Sequence, residues 1–78
     1  MLTPDERAVL EALVEAPKPL PEGEVVRLSG LPAGAVRGEL ASLVSQGLAK
    51  RREAGYEGPE TRVGNWSATD DGRAALSE

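Results

Sequence analysis

The chain contains no cysteine, no histidine and no phenylalanine, and its aromatic residues are one Trp and one Tyr. Without cysteine there is no disulfide staple and no thiolate metal site. Without histidine the commonest general base and the commonest zinc ligand are missing together. No apolar run approaches the roughly 18 residues that a membrane span needs. The opening Met1-Leu2-Thr3-Pro4-Asp5-Glu6 is polar and acidic, unlike the start of a secretory signal. With 78 residues the chain makes one domain, 1–78. A chain this short buries only about 60% of its unfolded surface, so its core is modest. These absences argue against an enzyme, since no phosphate-cradling glycine motif and no room for a large pocket compensate for them. Neither a cofactor nor a metal is expected, and a reducing cytoplasm is the natural compartment.

What is present begins with charge. Nine basic residues stand against 13 acidic ones, for a net charge of −4. Alone, that speaks mildly against nucleic acid, because phosphate binding wants a basic surface. The charge is unevenly spread, however. Residues 1–30 carry Arg7, Lys18 and Arg27 against six acids, whereas residues 31–52 carry Arg37, Lys50, Arg51 and Arg52 against Glu39 alone. A basic face on an acidic body is still an electrostatic footprint, because screening makes the field local.

The stretch Ser29–Leu48 organises the rest. Val36, Leu40, Leu43 and Val44 recur as one face of a helix predicted over 32–46. Gly47 stands where only glycine enters the left-handed conformation without a Cβ penalty. Ahead of it, Thr3-Pro4-Asp5-Glu6 is a capping-box start for a first helix that ends near Ala16, before Pro17. Lys18–Pro21 reads as an extended linker with Leu20 tucked inward. A short second helix follows, with Val25, Val26 and Leu28 buried and Gly30 ending it. Helix, tight turn and helix make a helix-turn-helix. A strand over 48–53 and its partner over 61–68 enclose a Gly/Pro-rich loop, and this hairpin is a wing. Thr69 then caps a short last helix, from which Ala75 and Leu76 can pack onto helix one.

Candidate contacts follow from this plan. The outward face of the third helix holds Ala33, Gly34, Arg37, Gly38, Ala41, Ser42 and Ser45. On one view these are small residues filling a solvent face. On the other they let the helix lie close in a major groove, with Arg37 reaching guanine or phosphate and Ser42 and Ser45 reaching phosphate. Lys50, Arg51 and Arg52 either guard an edge strand or clamp phosphates, joined by Arg62. Alternation sends Lys50 and Arg52 one way and Arg51 the other. Tyr56, near the loop tip, is a further candidate contact, while Trp66 is expected to seal the wing onto the helices.

Leu28-Ser29-Gly30-Leu31, Leu40 through Leu48 and Trp66-Ser67-Ala68-Thr69-Asp70-Asp71-Gly72-Arg73 together resemble the winged helix-turn-helix superfamily of MarR-like transcriptional regulators. The resemblance implies an α+β fold: a three-helix core, a two-stranded hairpin wing and a short C-terminal helix. It also implies duplex DNA as partner, helix 32–46 in the major groove, strand 48–53 on the phosphates, and a homodimer through helix one and the last helix. Ala68 replaces the usual Leu, and the third helix is less basic than usual. The chain is also similar to winged-helix appendages of larger proteins, including the N-terminal domain of some phenylalanyl-tRNA synthetase α subunits. That similarity implies the alternative, a module that contacts protein or RNA instead of duplex DNA.

Overall fold

The computed structural model describes residues 2–53 and 64–77. Helix α1 spans Pro4–Glu15, strand β1 Leu20–Pro21, α2 Glu22–Ser29, α3 Ala33–Ser45, β2 Ala49–Glu53, β3 Gly64–Ala68 and α4 Asp70–Leu76. Every helix expected from the sequence is present, with ends within about one residue, as fraying allows.

Local chemistry explains the boundaries. Thr3 caps α1: its side chain accepts from the Glu6 amide at 3.1 Å while the Glu6 carboxylate accepts from the Thr3 amide at 2.9 Å. Gly30 and Gly47 are the two described residues with positive φ, 76° and 78°. At the end of α3, the Gly47 amide donates to the Val44 carbonyl and the Leu48 amide to the Leu43 carbonyl. These paired bonds are a Schellman closure, which satisfies carbonyls the helix would otherwise leave bare.

The sheet has three strands in the order β1-β3-β2, all antiparallel, rather than the two expected. The residue pattern predicts an extended linker over Lys18–Pro21. Leu20 instead pairs with Trp66 and Pro21 with Asn65. Proline is tolerated there because β1 is an edge and needs no donor on its outer side. Thr61–Val63, the first part of the expected returning strand, lie outside the described residues.

Val9, Leu10 and Leu13 of α1, Val25 of α2 and Val36, Leu40 and Leu43 of α3 form the core, with Leu20, Ala49 and Ala68 closing it from the sheet. Ala75 and Leu76 pack against that core, and α4 lies on α1. Three expected core residues are not in it: Val26 is half-buried against it, while Leu28 is 51% exposed and Val44 40% exposed. Val44 lies two turns beyond Arg37, so it shares the stripe of Arg37 rather than that of Leu43. Leu28 faces a cleft between α1 and α2 walled by the small Ala8 and Ala12, which cannot cover it.

Candidate nucleic-acid interface

The exposed face of α3 begins with Gly34 and Gly38, where an added Cβ would find nothing within 4 Å. Internal packing therefore does not require glycine at either position. Each costs about 1 kcal/mol of helix stability relative to alanine. Arg37, Ala41 and Val44 follow at i, i+4 and i+7, one straight stripe along the helix.

This stripe is one wall of a hollow of about 410 Å³ lying between α3 and the sheet. Arg51 and Trp66 form the other wall, with Leu40 and Ser45 completing the lining. Arg51 and Trp66 are cross-strand partners, and the guanidinium carbon sits 5.6 Å from the Trp66 ring centre. A cation over an aromatic face is attracted by the ring quadrupole, so Trp66 orients Arg51. The ring also packs against the core, consistent with a seal between wing and helices.

Arg37 is tied to the preceding helix. Its Nη2 donates to Glu22 Oε2 at 3.0 Å and its Nε to Glu22 Oε1 at 3.4 Å. This pair braces α2 against α3 and holds the Arg37 guanidinium firmly protonated.

The other sequence-derived candidates scatter. Ser42, expected on the outward face, points to α1 instead: its hydroxyl donates to Glu6 Oε2 at 2.7 Å. Gln46 Nε2 donates to the same oxygen at 2.9 Å. Ser42 lies about 140° around the helix from Arg37, which turns it off the exposed stripe. Glu6, a residue expected only to close a cap, is 8% exposed and links α1 to α3. The Thr3 amide, then Ser42 and Gln46, bond its charged form and lower its pKa against the opposing effect of burial.

Lys50 and Arg52 occupy the opposite face of the sheet from Arg51, as alternation requires. There they line a second hollow with Lys18, Ser67, Asp70 and Arg73. Ser67 Oγ, buried in that wall, has no hydrogen-bond partner among the described residues. Tyr56 and Arg62 lie outside the described residues. Thus Arg37, Ser45 and Arg51 come together, and Val44, Ala41 and Trp66 join them. Val44 was missed because its apolar character placed it in the core pattern; counting two turns from Arg37 would have found it.

Among the described residues no helix is long and apolar enough to cross a membrane, and no group of three acids forms a candidate metal site.

Comparison with known proteins gives the frame for this geometry. No curated protein sequence matches the chain. Solved structures do. A probable transcriptional regulator from Pseudomonas aeruginosa is 30% identical, with a TM-score of 0.79 over 97% of this chain and 55% of its own. BpsR of Bordetella bronchiseptica, whose DNA binding is regulated by 6-hydroxynicotinic acid, is 25% identical, with a TM-score of 0.80 over 97% and 51%. The PcaV transcriptional regulator of Streptomyces coelicolor, solved with its natural ligand, is 25% identical, with a TM-score of 0.83 over 97% and 51%. The chain therefore spans about half the length of these structures. The model of the IclR helix-turn-helix domain matches residues 8–53, from the middle of α1 to the end of β2. That match takes in both helices of the turn motif and more than half of the sequence, and the chain belongs to the IclR helix-turn-helix domain family.

Proposed function

We propose that this domain is the duplex-DNA-binding module of a transcriptional regulator, with α3 in the major groove. The observation that carries this reading is the exposed face of α3. Its small side chains admit close approach, and arginines stand on both sides of it, Arg37 on the helix and Arg51 across the hollow. The family match and the regulator structures support the same use. Arg37 and Ser45 face base edges or the adjacent phosphates, and Arg51 takes a phosphate of the strand bordering the groove. Lys50 and Arg52, on the far side of the sheet, add attraction at longer range. Ser42 has no place in this contact, because Glu6 holds its hydroxyl.

Two copies on a two-fold site belong to this reading, with half-sites about one helical turn apart. The test is selection from a randomised duplex pool, followed by an amide chemical-shift titration with the enriched duplex and with an unrelated one. Shifts should concentrate on Gly34–Ser45 and Arg51, and binding should weaken as salt rises. An unenriched pool together with a flat titration at low salt would end the proposal. A salt-independent response to single-stranded RNA would move the contact to the alternative class of partner.

A further inference from the structure

The hollow between α3 and the sheet has an unusual composition for a surface facing polyanion. Its lining carries the apolar Leu40, Ala41, Val44 and Trp66 together with Ser45, Arg37 and Arg51. Val44, at 40% exposed, is one of two large hydrophobic side chains left open among the described residues. The other, Leu28, faces a cleft rimmed by Glu11, Glu15 and Glu24, which would repel phosphate. Of these two sites among the described residues, the α3 hollow is the one that combines an open apolar surface with flanking arginines.

A major groove offers the complementary arrangement. Between two rows of phosphates, the apolar group presented by a base edge is the C5-methyl of thymine. Alanine and similar small apolar side chains are the partners that read it. We propose that Ala41 and Val44 read 5-methylpyrimidines, so that the site prefers A·T pairs at the position facing the C-terminal half of α3. This rests on the proposed DNA-binding function and specifies what α3 would recognise. Arg37 and Arg51 then hold the phosphates on either side, and neither needs to touch a base for the preference to arise. Gly34 and Gly38, open on the same face, let the helix come near enough for a methyl contact.

The experiment removes the methyl and nothing else. A 20-base-pair duplex of alternating A·T is compared with its counterpart carrying deoxyuridine for thymidine, by fluorescence anisotropy at one fixed low salt. A parallel pair compares alternating G·C with its 5-methylcytosine form, where the same methyl returns in a different base pair. The wild type should bind each methylated duplex about threefold to fourfold more tightly, the scale of one buried methyl group. Val44→Ser removes both methyls that would meet the base methyl. It should bring the ratio of methylated to unmethylated affinity close to one in both pairs, whatever its effect on absolute affinity. Val44→Ile should retain the preference. Circular dichroism of each variant establishes that the fold is intact, as an exposed position leads one to expect. Equal affinity of the wild type for methylated and unmethylated duplexes, or a preference undiminished in Val44→Ser, overturns the inference and leaves DNA binding standing. Absence of binding to all four duplexes at low salt overturns both.

Discussion

Glu6 shows how one side chain can serve two elements. Its carboxylate closes the cap of α1 through the Thr3 amide, and its second oxygen receives Ser42 and Gln46 from the end of α3. These donors favour the charged form, so the folded-state pKa lies below the ordinary glutamate value of about 4.3. A group depressed in this way stabilises the fold fully above its unfolded pKa and loses that contribution as pH falls through the folded value. Glu6→Gln removes the charge and turns an amide N–H toward Gln46. At pH 7 the variant should be less stable by about 1.5–3 kcal/mol, the scale of hydrogen bonds to a charged group. The gap should begin to narrow below about pH 4.3, where the unfolded carboxylate protonates, and close as pH falls through the lower folded-state value. Urea unfolding of both proteins from pH 7 to pH 3 measures it, and parallel curves would show that Glu6 has no such role. Gly72 is a second point of tight tolerance. A Cβ there would collide with the Leu48 carbonyl oxygen and press on Leu10 Cδ1. That same carbonyl accepts the Thr69 amide at 3.0 Å, so it cannot simply turn aside. Gly72→Ala should cost about 1–3 kcal/mol, as overpacking does, and lower the melting temperature accordingly.

Helix α3 illustrates what can and cannot be read from residue order. Its existence, its glycine stop and its buried Val36, Leu40 and Leu43 were legible, because a 3.6-residue period repeated over three turns is a strong signal. Which residues flank the stripe was not. Ser42 and Val44 sit at the boundary between faces, and their polarity suggested the wrong side for each. A buried acid on α1 drew the serine in, and a hollow beside Trp66 left the valine out. Strand β1 was invisible for a different reason: two residues cannot display an alternation, and a proline speaks against a strand. The glycines of α3 separate folding from contact. Gly38→Ala should raise stability by about 0.5–1 kcal/mol, since alanine loses less backbone entropy and the added methyl meets no atom. If the face lies against DNA, the same methyl should weaken duplex binding. Thermal melts and anisotropy on one variant measure both, and a gain in stability with unchanged affinity would place the groove contact elsewhere on α3.

The distribution of charge over the domain sets how DNA would be held. Glu11, Glu15 and Glu24 line the cleft between α1 and α2, Glu6 is bonded to Ser42 and Gln46, and Glu22 is paired with Arg37. The four cations between residues 31 and 52 divide between two faces, Arg37 and Arg51 beside α3 and Lys50 and Arg52 behind the sheet. Direct phosphate contacts release condensed counterions, and each contributes a slope of about −0.9 to the dependence of log affinity on log salt. Charges beyond a Debye length, about 8 Å at physiological ionic strength, act only as a screened field. The two faces therefore predict different behaviour for changes of equal charge. Arg51→Gln should make the slope shallower by about one and weaken binding at every salt concentration. Lys50→Gln, or the double change with Arg52→Gln, should change affinity little between 50 mM and 200 mM salt and leave the slope nearly unaltered. Titrations between 50 mM and 200 mM salt on these variants decide the matter. Equal slope changes for Arg51 and Lys50 would mean that the duplex wraps onto the outer face of the sheet. A loss confined to Lys50 and Arg52 would place the nucleic acid on that outer face and leave α3 without a groove.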